Sequence, residues 1–488
     1  MKLSTSAKYL FVIFLISGVL FYPSLKVFYT HDDFFLLKIS RIETFGQFLN
    51  FFNLIRGPEG LGMYRPLGMQ TFYLLGWKLF NLNPFWLHLI AFLTLFTVIY
   101  LVYKLIKILT GNEKIGLTAA FLYAVSASHF AHLYALGTYV ELLVTLFALL
   151  SCISFIHYIK TKSLKGLIIT FLYFLGGLFS KETFVIIPLL LFLIYLYFVF
   201  RKKKVLAKPK DIFLALTPFF ATIAIYFLMR FKYFGFPEGD SYVWVFSFRV
   251  FNTLFWYFLW ALNLPEMLVD FVGPGLRFNP NLFKFYSREI IPIFSLFVVQ
   301  LLLILYFFIN WLRKNRNQKL ATLFFGLGWF AISLAPVIFL PLHKFTYYLT
   351  LPLIGVVLSI SILLENTKSV ILKMSFLATW LLLSILTLGL TSKTHWITQG
   401  ARIAEKVHHY LVENQNLIRN HDEIVFYDTD KDKNLPWKPS EILKVVLSDQ
   451  NYFKVFWNDK VTAMYYNSED KIKAGQIIKI GARDFLGY

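Results

Sequence analysis

One cysteine in 488 residues, Cys152, rules out an intramolecular disulfide, and no C-x-x-C pair is present to bind metal or carry redox chemistry. Charge is scarce as well: Asp, Glu, Lys and Arg make up 15% of the chain, where soluble domains hold about a quarter. Acidic residues are the rarer sign, 27 against 48 Lys and Arg. H-E-x-x-H spacing is absent, so a zinc hydrolase is not supported. There is no internal repeat and no low-complexity tract. What fills the chain is apolar: 58% hydrophobic residues, with 56 Phe, 28 Tyr and 11 Trp. That exceeds the need of one buried core, so most of the chain must face lipid. A soluble multidomain enzyme, a disordered chain and a disulfide scaffold are all excluded.

The remaining charge is unevenly placed. Residues 392–488 carry 14 Lys/Arg and 13 Asp/Glu, so almost the whole net charge of +21 belongs to residues 1–391. There, apolar runs of a length that crosses a bilayer as a helix recur. They predict spans near 8–22, 85–103, 115–130, 138–158, 166–180, 184–200, 212–230, 290–311, 321–340, 346–364 and 371–391. The first is expected to be retained, because no small-x-small cleavage site follows Gly18. Of the 34 Lys/Arg before residue 392, 20 fall in one alternating set of short loops, including RKKKVLAKPK and RKNRNQK. This bias predicts a cytoplasmic N-terminus, with 11 spans leaving residues 392–488 outside, the plasma membrane being the expected location. The basic excess is then a topology signal, and nucleic acid is not an expected partner. The stretch 251–271, broken by Asn263 and Pro265, reads as interfacial or re-entrant. The expected fold is thus a multi-pass α-helical membrane domain, 1–391, followed by a small extracytoplasmic α/β domain, 392–488. In that domain a helix is expected over 394–419 and strands at EIVFYD, FKVFW, TAMYY and QIIKI. Its role is expected to be acceptor or partner binding, with no catalytic group.

Two outer segments, 23–84 and 231–289, are long enough to build a site. The first opens with Asp32–Asp33, placed where a carboxylate meets both water and lipid headgroups. An isolated acidic pair ordinarily caps a helix, here DFFLLKISRI. This pair is followed by GMYRPLGMQTFYLLGW, with Arg65 ahead of Pro66. On the same face lie His129 and His132, one helical turn apart, then Glu141 at the head of a span and Ser180–Lys181–Glu182 between two spans. His129 and His132 suit interface hydrogen bonds better than a metal. Lys181–Glu182 cannot be a positive-inside signal at this end, and charges at such depth are usually paired or functional.

These residues carry a resemblance. The first span, the acidic pair heading a long outer loop and the many short-looped spans resemble the superfamily C membrane glycosyltransferases, which take sugar from a polyprenyl-phosphate carrier. The likeness is strongest to protein O-mannosyltransferases, in particular the transmembrane ones carrying tetratricopeptide repeats. Asp32–Asp33, Tyr64–Arg65–Pro66–Leu67, His129, Glu141–Leu142–Leu143, Lys181–Glu182 and the GWFAISLAPVIFLP segment follow the order of that family's motifs. Departures are a family glutamate falling on Ala131, a family arginine falling on Tyr139, HKFTYYLTLP with Lys344 in place of E-R-Y-x-Y-x-P, and no repeat domain.

The resemblance implies sugar transfer from a polyprenyl-phosphate donor to a protein, glycan or lipid hydroxyl. Such transfer needs a base for the acceptor proton and cations for the departing phosphate. Asp32 is the expected base, and Asp33 orients the acceptor or binds a divalent cation. Arg65, Lys181 and Lys344 are the expected phosphate-binding cations, with Tyr64, His129, Glu141 and Glu182 in support. A single displacement would invert the anomeric centre. The competing class is a polytopic transporter or flippase of lipid-linked glycans, which would show inverted repeats and mid-span charges.

Overall fold

The computed structural model describes residues 4–55, 62–203, 205–235, 239, 241–273, 275–314, 317–418, 423–432, 434–458, 460–468 and 477–487. After α1 (Thr5–Phe21), the first outer segment folds as α2 (Asp32–Ile39), α3 (Phe45–Asn50) and α4 (Phe72–Lys78). A helical series follows: α5 (Pro84–Thr110), α6 (Glu113–Ala124), the single turn α7 (Phe130–Tyr134), α8 (Tyr139–Thr161), α9 (Leu164–Leu178), α10 (Ile187–Phe200) and α11 (Pro209–Tyr233). The second outer segment holds α12 (Arg249–Ala261), α13 (Leu268–Phe271) and a ribbon of β1 (Val272–Gly273) and β2 (Arg277–Phe278). Four helices come next: α14 (Asn281–Lys314), α15 (Asn317–Leu334), α16 (Leu353–Glu365) and α17 (Val370–Thr394). The chain ends with α18 (Trp396–Glu413), α19 (Gln415–Ile418), β3 (Glu423–Tyr427), α20 (Pro439–Val446), α21 (Asn451–Phe456), β4 (Thr462–Tyr466) and β5 (Ile477–Gly481).

Each of the eleven expected spans falls on a helix. Among the described residues, seven apolar helical segments are long enough to cross a bilayer, and Leu164–Leu178, Leu320–Leu334 and Leu353–Glu365 are shorter apolar helices. The protein is therefore a multi-pass membrane protein. Its tight helical hairpins follow from local chemistry. Gly111, with φ 74°, ends α5, and the next residue, Asn112, caps α6 by accepting from the N–H groups of Lys114 and Ile115. Lys162 and Ser163 do the same between α8 and α9. α16 is apolar all round and buried along its whole length, the mark of a helix enclosed by others. It approaches α15 so closely that a Cβ on Gly326 would lie 2.7 Å from the Gly355 carbonyl oxygen, so only a small residue fits there.

Several expectations are corrected. The span expected over 115–130 stops as a helix at Ala124, that over 321–340 stops at Leu334, and that over 346–364 becomes α-helical only at Leu353. Ser126, Pro336 and Pro352 stand at these breaks. FKVFW, expected as a strand, is mostly α21, because a short aromatic and β-branched run cannot be told from a buried helix by pattern alone. Together α20 and α21 form the crossover between the parallel strands β3 and β4. The sheet order is β4-β3-β5, all parallel, with Ile424 opposite Ala463 and Ile478. Gln476, the first residue of the expected last strand, lies outside the described residues, as do Lys204 and Arg316 of the basic loops. α12 has 13 residues, about 20 Å at 1.5 Å per residue. It exposes Phe251, Phe255 and Phe258 and buries Trp256, Tyr257 and Trp260, an amphipathic pattern.

Candidate active site

A cleft of about 260 Å³ gathers residues from distant parts of the chain: Asp32 and Asp33, Arg65, Glu141, Lys181, Glu266, and His395 with Trp396. Asp32 and Asp33 form the first turn of α2, where the helix dipole favours negative charge. Their side chains differ in kind. Asp33 is buried; its Oδ2 accepts from the Thr30 N–H at 3.0 Å and its Oδ1 from the Tyr73 hydroxyl. Burial pushes its carboxyl up to about 7, against the downward pull of the Tyr73 and Thr30 hydrogen bonds. Asp32 opens to the cleft, and the surrounding protein raises its carboxyl too, through loss of hydration. Among the described residues no group of three or more His, Cys, Asp and Glu side chains converges as a metal site.

The cations arrive paired. Arg65 is held in a fork by Glu182, Nε to Oε2 at 2.8 Å and Nη2 to Oε1 at 2.5 Å. Burial works against the Arg65 charge, but Glu182 holds its pKa above the usual range. Lys181 is bonded to Glu141 and stacks under the Tyr348 ring, 4.6 Å from its centroid. Burial lowers the Lys181 ammonium pKa while Glu141 opposes that shift. Local sequence explains the meeting: Pro66 starts a helical turn that places Arg65 beside the α9–α10 junction, where the Leu67 N–H donates to the Phe179 carbonyl at 3.1 Å. Gly68 is required there, since a Cβ would lie 2.7 Å from the Ser180 carbonyl oxygen.

The other expected residues lie outside the cleft lining. Lys344 donates to Asn252 Oδ1 at 3.4 Å, while its neighbours His343 and Phe345 line the cleft. His129 is buried, its Nε2 donating to the Tyr123 carbonyl at 2.7 Å. The Tyr64 hydroxyl donates to the Phe52 carbonyl at 2.9 Å, its ring packing against Phe179 and Phe234. Glu182 stands beside the cleft as the partner of Arg65.

Sequence reasoning missed several residues. Glu266 accepts from the Thr346 N–H at 2.6 Å and lies 3.6 Å from His395 Nε2. Because His395 Nδ1 accepts from the Ile397 N–H, the ring proton sits on Nε2, facing Glu266. An acidic residue beside Pro265 in an aromatic stretch was the available signal. His31 also lines the cleft, and burial and His395 lower its pKa to about 4, so the ring is neutral at neutral pH. Arg230, near the end of α11, is buried beside Tyr226 and within electrostatic reach of Glu182.

Residues 65–228 match the family model for dolichyl-phosphate-mannose-protein mannosyltransferases. The matched region starts at Arg65 and contains Glu141, Lys181 and Glu182, but neither the acidic pair nor the C-terminal layer. No curated protein matches the chain.

Proposed function

We propose, from the premise that this chain is a mannosyltransferase-like membrane glycosyltransferase, that it moves a sugar from a polyprenyl-phosphate carrier to a hydroxyl of a protein, glycan or lipid acceptor. The observation that carries this reading is the convergence of the acidic pair with Arg65 and Lys181 in one cleft. Asp32 is the base: it faces the cleft, and among the described residues no hydrogen bond to its carboxylate is seen, whereas both oxygens of Asp33 are engaged. As the acceptor oxygen bonds to the anomeric carbon, its proton passes to Asp32. The carbon–oxygen bond to phosphate breaks, and its electron pair leaves on the polyprenyl phosphate. Attack opposite the leaving group inverts the centre.

Arg65 and Lys181 already carry one carboxylate each, so their charge is held in place and largely compensated before the donor arrives. Arg230, within electrostatic reach of Glu182, adds positive charge nearby. Asp33 orients the loop rather than a cation. The basic loops put the N-terminus in the cytoplasm, with the cleft and residues 392–488 on the outer face.

Turnover of polyprenyl-phosphate mannose by purified protein tests the assignment. Asp32→Asn is expected to cut transfer by about 10²–10⁴-fold with donor affinity nearly intact. Normal transfer in that variant would remove Asp32 from the mechanism.

A further inference from the structure

Immediately before the acidic pair the backbone is unusual. His31 has φ 53° and ψ −121°, a combination outside the left-handed helical basin and one that L side chains avoid. Such a conformation persists only where the surroundings over-determine it. Here the surroundings are the C-terminal layer. The His31 N–H donates to the carbonyl of Val446, the last residue of α20, at 2.8 Å. Its ring stands edge-on to Trp396 of α18, with centroids 4.8 Å apart. Gly400 of α18 is the closest approach of all: a Cβ there would overlap the His31 ring and lie 2.8 Å from Thr30 Oγ1.

The same two residues reach the carboxylates. Thr30 Oγ1 is bonded to His31 Nδ1 at 2.7 Å, and the Thr30 N–H donates to Asp33 Oδ2 at 3.0 Å. Behind them, α2 rests on α21, with Phe34 edge-on to Tyr452 at 5.3 Å. Displacing Thr30–His31 therefore displaces the start of α2, and Asp32 with it.

We propose that the C-terminal domain positions the acidic pair, with Gly400 as the seat for Thr30–His31 and the Val446 carbonyl as the tether. Gly400 is thus a positioning residue for the transfer, an inference that rests on Asp32 being the base. Residues 392–488 then hold the site in register, beyond any part they take in acceptor binding. His31 transmits the contact and does no chemistry.

The test uses the full chain in detergent, with two readouts. One is kcat and donor KM for polyprenyl-phosphate mannose; the other is amide hydrogen exchange over residues 28–37. Gly400→Ala drives a methyl group into the His31 ring. It is expected to lower kcat by about 10²-fold, the scale of a ~1 Å misplacement, and to leave donor KM within about twofold, because Arg65 and Lys181 sit on other elements. Exchange over residues 31–34 should rise. His31→Gly removes the ring and suits the positive φ, and combined with Gly400→Ala it should recover at least about tenfold of the loss. Trp437→Ala, at an exposed position of the same domain, should change neither readout.

Unaltered exchange in Gly400→Ala overturns the proposal. So does a double variant no better than Gly400→Ala, since the damage would then not pass through His31. If the wild-type protein turns over no polyprenyl-phosphate sugar, the base assignment fails, and the exchange readout alone decides whether α18 seats the loop.

Discussion

Replacing Asp33 by Asn should stabilise the protein at neutral pH, an unusual outcome for a buried residue beside the proposed base. The carboxyl titrates at about 7 in the folded protein, against about 3.9 in an unfolded chain. A folded-state value above the unfolded one means that the native state binds the proton more tightly. Stability from this group is thus fully present below about pH 4 and is lost as pH rises through 7. The difference of about three pH units corresponds to on the order of 4 kcal/mol. Retained hydrogen bonds and relaxation reduce what is measured, so roughly 2–4 kcal/mol is expected. Asn imitates the protonated acid: its carbonyl accepts from the Thr30 N–H while its amide donates to the Tyr73 oxygen. Thermal unfolding in detergent between pH 5 and 8 provides the assay. The wild-type midpoint should fall as pH rises, and the Asp33→Asn midpoint should be flatter and higher at pH 8. Transfer in this variant should stay within about tenfold of wild type, far above Asp32→Asn. Parallel pH profiles for the two proteins would refute the buried-carboxylate reasoning, and an Asp33→Asn enzyme as inactive as Asp32→Asn would refute the division of roles.

Breaking either ion pair should cost more than removing an ordinary surface pair. Arg65→Ala removes the forked partner of Glu182 and is expected to destabilise by about 1.5–3 kcal/mol and raise donor KM, read by unfolding and by donor kinetics; a KM unchanged from wild type would exclude Arg65 from phosphate binding. Gly355→Val should separate α15 from α16 and lower the unfolding midpoint by several degrees with the cleft residues untouched, whereas a normal midpoint would contradict the close packing. Reporter fusions after Lys314 and at the C-terminus should show cytoplasmic and extracytoplasmic activity respectively, and cytoplasmic activity at the C-terminus would invert the topology.

Much of this protein is legible from sequence because lipid imposes a simple rule. Long runs such as 85–103 and 371–391 must be helical, since hydrocarbon offers the backbone no other partners, and each expected span does fall on a helix. The acidic pair, Arg65, Glu141 and Lys181 were legible as charges at membrane boundaries, where charge is costly. Their pairing was not. Arg65 meets Glu182 across 117 residues, and Lys181 takes Glu141 rather than the glutamate next to it in sequence. Lys344, by contrast, has the right chemistry but faces Asn252, because orientation at an unwound helix end follows packing rather than pattern.

Sequence alone thus determined the class of the molecule, the order of its apolar helices and most of the chemically capable residues, since these depend on composition and period. Tertiary structure decided which of the two aspartates is free, which cation pairs with which carboxylate, and that Glu266, His395 and His31 belong to the cleft. It also decided that the C-terminal layer reaches the acidic pair, through the Val446 carbonyl and the missing side chain of Gly400. The physical reason is common to all of these. Hydrogen bonds and close contacts form between surfaces brought together by packing, and residues hundreds of positions apart carry no local signal of their meeting.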